Sequence, residues 1–172
     1  MNGSEASSAW SGRVAVVTGA SRGVGKGVAL ALGAAGACVH VTGRTRRGHA
    51  PEVGGTIDDT ADEVTARGGR GIAHACDHAE DANVAAVFDR IDTDHGGLDL
   101  LVNNVFAIPD GPNYNVPFWE LPLASWDAMI EVGLRSHYVA SVHAARRMVA
   151  AKRGVIVNIS TCGAASYQVN VP

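Results

Sequence analysis

The stretch Arg13-Val14-Ala15-Val16-Val17-Thr18-Gly19-Ala20-Ser21-Arg22-Gly23-Val24-Gly25 constrains the fold more than any other part of the chain. Its apolar, β-branched beginning reads as a buried strand. The glycines that follow permit a tight turn, and from Gly23 the small residues run on as a helix to Ala35, stopped at Gly36. A strand that passes through a glycine turn directly into a helix is the first half of a strand-helix-strand unit.

The rest of the chain repeats that alternation. Ala37 to Gly43 reads as a second strand. Ile57, Ala61 and Val64 recur at helical spacing, with Thr56 as N-cap, Asp58 and Asp59 in the first turn and Gly68-Gly69 as the stop. Residues 71–77 form a third strand, Val84, Val87, Phe88 and Ile91 mark a helix, and residues 98–104 form a fourth strand. A long helix with Ser125 as N-cap runs through Trp126, Ile130 and Tyr138 to about Ala151, and residues 154–160 form a fifth strand. This order predicts an α/β fold: a doubly wound parallel sheet with right-handed crossovers and helices on both faces. Ligands of such sheets bind at the carboxyl ends of the strands. The pattern gives one domain over 13–172, preceded by a Ser/Gly-rich tail, 1–12, that reads as disordered.

Composition limits the partners. A net charge of −3 over 172 residues gives no global basic field, so neither nucleic acid nor an anionic membrane is expected as principal partner. Cys38, Cys76 and Cys162 are odd in number, widely spaced and set in apolar stretches, which suits reduced packing thiols and a cytoplasmic location. There is no signal-like N-terminus and no apolar run of bilayer length. His74, Cys76 and His78 alternate around the third strand, but no paired ligand motif supports them, so no metal is expected.

The turn after the first strand, Thr18, Gly19, Ser21, Arg22, Gly23, Val24 and Gly25, combines free backbone N–H groups with a helix N-terminus and so invites an anion, most simply a pyrophosphate. Its spacing, T-G-x-x-x-G-x-G, resembles that of the short-chain dehydrogenases/reductases, and the likeness extends from about Arg13 to Pro172. The resemblance implies a Rossmann-like three-layer α/β/α domain and hydride transfer between a nicotinamide cofactor and a small carbonyl or alcohol. Dinucleotide folds that bind NAD place a carboxylate about 20 residues beyond the glycines. Here Thr42-Gly43-Arg44-Thr45-Arg46-Arg47 follows, with no Asp or Glu between Lys26 and Pro51. Arg44 together with Arg22 therefore predicts NADP(H), since guanidinium binds a 2′-phosphate that a carboxylate would repel. Arg46 and Arg47 fit either a contact or a solvated loop.

By the same resemblance, Asp77 is the acidic residue that hydrogen-bonds the adenine ring. Asn103 ties the central strands together and lines the cofactor ribose. Asn103-Asn104-Val105-Phe106 departs from the family's Asn-Asn-Ala-Gly. Gly133 stands where the family usually has an asparagine that distorts the helix and holds a relay water; its carbonyl is the remaining candidate for that role. A narrower branch, the dehydrogenase/reductase member 1 type, resembles this chain from Phe118 to Tyr138 and also carries glycine there. Thr161, with Ser160 beside it, matches the catalytic serine at the end of the fifth strand, where a hydroxyl polarises the substrate carbonyl. The family's Tyr-x-x-x-Lys acid motif would begin just after Pro172. The expectation is thus the cofactor-binding part of an oxidoreductase, homo-oligomeric when complete. As written, the chain is inactive in turnover. A non-catalytic NADP(H)-binding protein and a sensor of another polar ligand are the alternatives.

Overall fold

The computed structural model describes residues 9–48, 54–107 and 116–161. Five strands, β1 (Val14–Val17), β2 (Cys38–Gly43), β3 (Arg70–Ala75), β4 (Leu100–Asn103) and β5 (Val155–Asn158), form one sheet in the order β3-β2-β1-β4-β5. Every neighbouring pair is parallel, with Val17 opposite both Val41 and Val102, and Asn103 opposite Asn158. The helices are α1 (Gly23–Ala34), α2 (Ile57–Ala66), α3 (Asp81–His95), α4 (Leu123–Ile130) and α5 (Ser136–Ala151). The chain steps outward from β1 to β2 and β3, then returns to the other side of β1 as β4. That reversal opens a crevice beyond the carboxyl ends of β1 and β4.

β1 has no polar face because it has no exposed face. Val14 and Val16 pack with Phe88, Ile91, Leu101 and Met148 on one side of the sheet. Ala15 and Val17 pack with Val39, Val41, Ile57 and Val64 on the other. Burial of strands on both sides is what makes their sequences read as continuous apolar runs. The two edge strands are the exceptions: no residue of β3 or β5 is fully buried, and Val155 and Val157 are exposed.

Two predicted boundaries move. Within the tail expected over 1–12, residues 9–12 form turns, and residues 1–8 lie outside those described. The Trp10 N–H donates to the Ala35 carbonyl at 3.0 Å, and the side chain is half-buried against the apolar residues of α1 and β2. One aromatic group with a surface to cover outweighs the Ser/Gly composition around it. The long helix also divides. It starts at Leu123 after Pro122 rather than at a Ser125 cap, and Ser125 is buried within the first turn, its N–H donating to the Pro122 carbonyl at 2.9 Å. Between α4 and α5 the chain widens into a π-helical turn, Glu131–Arg135, closed by the Ser136 hydroxyl donating to the Val132 carbonyl at 2.6 Å. Thr56 does cap α2, accepting from the Asp59 N–H at 3.0 Å, with Asp58 and Asp59 in the first turn. Among the described residues no helix is long and apolar enough to cross a membrane.

The amino ends of β1 and β4 are joined by one carboxylate. Asp99, buried just before β4, accepts from the Val14 N–H at 2.9 Å, from Arg13 Nη1 at 2.9 Å and from Arg153 Nε at 3.2 Å. Burial alone would raise its pKa, but the Val14 and Arg13 hydrogen bonds outweigh it and hold the carboxyl below the ordinary range. A depressed folded-state pKa gives stability that is present above the unfolded value, about 3.9, and is lost as pH falls through the folded value. Asp99→Ala should therefore cost about 1–3 kcal/mol at neutral pH, because the Val14 donor is left buried and unpaired. Urea unfolding at pH 7 and in acid checks this: the gap between wild type and variant should narrow in acid.

Candidate functional site

A cavity of about 610 Å³ occupies the crevice above the sheet, with Gly19, Ser21, Gly23, Arg44, Asp77 and Val105 among the residues that line it. Its floor is the turn from β1 into α1. The two helix N-termini of this half of the molecule differ sharply. α2 is capped by Thr56 and carries two acids in its first turn. α1 begins after Arg22 with no side-chain cap and no acid. Its first N–H groups thus lack an intrahelical partner, and they sit where the positive end of the helix dipole meets the cavity. Gly23 takes φ +57°, and a Cβ placed on it would meet no protein atom within 4 Å. The turn is thus an open cradle with donors on it, which fits a diphosphate.

Thr18 and Gly25 are not in the cavity wall; they build it from beneath. The Thr18 hydroxyl accepts from the Asn104 N–H at 2.9 Å and the Val105 N–H at 3.1 Å, and itself donates to the Val102 carbonyl at 3.3 Å. Asn104 returns the contact, its Nδ2 donating to the carbonyls of Thr18 at 2.9 Å and Gly19 at 3.0 Å. A Cβ on Gly25 would strike that amide and the Gly19 carbonyl, and one on Gly19 would lie 2.6 Å from Val105 Cα. Asn104 was not singled out in the sequence. An Asn-Asn pair ending a strand was the available signal.

Asn103 is fully buried beside the cavity rather than lining it. Its Nδ2 donates to Asn158 Oδ1 at 2.8 Å and Ser141 Oγ at 3.0 Å, joining β4, β5 and α5. Its amide nitrogen is thus engaged in the link between strands and helix. Asp77 does line the cavity; its Oδ1 accepts from the Ala79 N–H at 3.1 Å, and its Oδ2 lies 4.0 Å from Arg44 Nη1. Beside it His78 is buried, its Nε2 2.7 Å from Thr42 Oγ1, and burial first of all lowers its pKa to about 4. It is neutral at physiological pH.

The arginines separate into two groups. Arg46 binds Asp58 through Nε at 3.1 Å and Nη2 at 2.7 Å, and Arg47 spans Asp59 and Asp62. Both form exposed ion pairs with α2. Arg22 and Arg44 line the cavity. Arg22 makes a 3.2 Å bond to the Gly54 carbonyl, and Arg44 has only its long approach to Asp77.

Gly133 lies in the π-helical turn, and a Cβ there would come within 2.9 Å of the Phe106 ring. The two departures from the family pattern, phenylalanine after the fourth strand and glycine in the helix, therefore touch. The ring occupies the space that a side chain at 133 would need. His137, one turn on, is 2.8 Å from the Val105 carbonyl, which can only accept, so Nε2 carries the proton. Tyr138, the next residue, is exposed. Ser160 and Thr161 are exposed just past β5 and outside the cavity wall; Cys162 and the residues after it lie outside those described, as does most of the proline-rich segment before Phe118.

These features define a class: a doubly wound nucleotide-binding α/β protein with an anion cradle at its switch point. The short chain dehydrogenase family model matches residues 13–171, and the chain belongs to that family. It is 43% identical over 164 residues to dehydrogenase/reductase SDR family member 1 of Mus musculus, covering 94% of this chain and 50% of the relative. The human protein of that name gives the same figures, so the chain spans about half the length of the curated relatives it matches. Among solved structures, a metagenomic short-chain oxidoreductase in complex with NADP superimposes with a TM-score of 0.82 at 37% identity, covering 95% of this chain and 68% of that one. A 7α-hydroxysteroid dehydrogenase complexed with NADH and 7-oxo glycochenodeoxycholic acid gives 0.79 at 27% identity, covering 99% and 61%.

The contact between Phe106 and Gly133 generates a double-mutant test. Gly133→Asn alone should cost at most about 1 kcal/mol, because the largely exposed Phe106 ring must shift to admit the side chain. In the Phe106→Gly background that cost should fall by about 0.5 kcal/mol, the lower end of the coupling found for touching residues. Additive effects in denaturant unfolding would show that the two positions do not share this space.

Proposed function

We propose that this chain is the NADP(H)-binding part of a short-chain oxidoreductase that moves hydride between the nicotinamide and a small carbonyl or alcohol. The observation that carries the reading is the charge at the cavity: Arg22 and Arg44 line it, no carboxylate stands between Lys26 and Pro51, and Arg46 and Arg47 are already paired. Membership of the family and the NADP of one solved relative support it.

When bound, the cofactor supplies the hydride and its acceptor. The uncapped N–H groups of α1 would hold the diphosphate, and Arg22 and Arg44 would bind the 2′-phosphate. Asp77 would take the adenine edge. Val105, Phe106 and Val132 close the cavity wall with apolar surface. Beyond β5, Thr161 or Ser160 donates to the substrate oxygen and polarises the carbonyl, and the Gly133 carbonyl accepts from a relay water. None of Tyr114, Tyr138 and Tyr167 has a lysine four residues on, so the 172 residues do not themselves contain the acid motif of the family. The exposed Tyr138 and Val149 of α5 support self-association of the complete protein through that helix.

Calorimetric titration tests the cofactor. NADPH should bind about 10–100-fold more tightly than NADH, the range of 1.4–2.8 kcal/mol supplied by charge-assisted hydrogen bonds to one phosphate. Arg44→Asp should abolish or invert that preference, and equal affinities in the wild type would overturn the assignment. The 172-residue chain should bind NADPH without oxidising it. Carbonyl-dependent NADPH oxidation by this chain alone would show that the acid is supplied within it.

A further inference from the structure

A second cluster of reactive side chains lies at the opposite end of β2 from the cavity. Cys38 and His40, two residues apart, project from the same face of the strand, and His95 is the last residue of α3, which ends there in a left-handed turn at Gly96. Cys38 Sγ is 3.6 Å from His95 Nε2 and 4.0 Å from His40 Nε2, and the ligand atoms of all three residues lie within 4.8 Å of one another. We propose that Cys38, His40 and His95 form a binding site for zinc or a zinc-like divalent cation, with His74 orienting His40.

The sulfur–nitrogen distances of 3.6 and 4.0 Å approach those of a coordination sphere. With Zn–S about 2.3 Å and Zn–N about 2.0–2.1 Å, tetrahedral geometry separates sulfur from nitrogen by about 3.6 Å. The imidazoles of His40 and His95 meet edge to face, at 89° and 5.0 Å between centroids, so they converge rather than stack. His40 is fully buried, and its other nitrogen, Nδ1, lies 2.7 Å from His74 Nε2. With Nε2 on the metal, the Nδ1 proton is donated to His74, the outer hydrogen bond that ligating histidines usually have. Apart from that, the buried His40 ring has only a weak sulfur partner for Nε2, an expensive way to fill a core position.

The local charges permit a cation. Asp94 lies within electrostatic reach of both Cys38 and His40, while Arg70 opposes it from the other side; Arg90 is already paired with Asp94 at 2.8 Å. Burial raises the Cys38 thiol, and binding replaces its proton with the metal and releases that proton to solvent. Cys38 and His95 are only half-buried, so a cation can reach the cluster from solvent. The site is about 16 Å along β2 from Gly43, five residues at strand rise, so it acts on the fold rather than on hydride chemistry. It fastens the start of β2 to the end of α3, 57 residues later.

Sequence spacing cannot reveal such a site, because its ligands come from separate elements. The triplet His74, Cys76 and His78 that alternates in sequence does not converge: His74 meets His40, Cys76 is buried in the core, and His78 meets Thr42.

The test is titration of the untagged, metal-free 172-residue chain, reduced with a phosphine, with Co²⁺ and then Zn²⁺. One equivalent of Co²⁺ should give a thiolate-to-cobalt charge-transfer band and the intense visible bands of four-coordinate cobalt, and one equivalent of Zn²⁺ should bleach both. Cys38→Ser should remove the charge-transfer band, and His95→Gln should weaken Zn²⁺ binding at least about 10-fold. His74→Gln should keep the band and lose about 10–100-fold in affinity, as an orienting residue does. Both Cys38 and His95 are part-exposed, and circular dichroism verifies that their variants fold. Zn²⁺ should raise the thermal midpoint of the wild type and not of Cys38→Ser. No thiolate band in the wild type overturns the proposal. So does a band that survives Cys38→Ser, or one that disappears in Cys162→Ser.

Discussion

The hydroxyl of Thr18 is the point on which this structure turns. It receives the N–H groups of Asn104 and Val105 where β1 and β4 end side by side, and Asn104 in turn grips the carbonyls that begin the glycine turn. Two strands that must separate to make a crevice are thereby held together at the place of separation. Everything above depends on that clamp: the direction in which the turn departs, the exposure of the α1 N-terminus and the position of the Val105-Phe106 wall. Asp99 performs the matching task at the other end of the same strand pair, with charge where Thr18 uses a neutral hydroxyl.

The Phe106 and Gly133 contact shows how a family pattern can shift without breaking. An aromatic ring beside the cavity and a missing side chain in the helix are each unfavourable alone, one for crowding and the other for helix propensity. Set against one another they fill a single space. The π-helical turn persists around Gly133, so the local widening of the helix does not need an asparagine side chain to maintain it.

Much of the fold was legible because β1, β2 and β4 are buried on both faces and so declare themselves as apolar runs. The arrangement of the glycine turn was equally plain, since strand, turn and helix follow in sequence. What escaped the sequence depended on partners far along the chain. The ion pairs of Arg46 and Arg47 depend on Asp58, Asp59 and Asp62 of the next helix. Asn103 was legible as a strand link but not as a residue sealed away from the cavity, because burial depends on Ser141 and Asn158. Ser125 looked like a cap, but Pro122 already starts the helix. The convergence of Cys38, His40 and His95 has no signature in spacing at all.

The strand order also sets a timetable for synthesis. β2 and β3 follow β1 closely, so one flank of the sheet can assemble from the first 75 residues. β4, the other neighbour of β1, ends at Asn103, about 28 residues after β3 ends at Ala75, which at about 5–20 residues per second is a delay of roughly 1–6 s on the ribosome. During that interval β1 is an edge strand with one apolar face bare. The central strand of the finished sheet is thus, for a time, its most adhesive one, and the nascent chain is most in need of shelter just before β4 arrives.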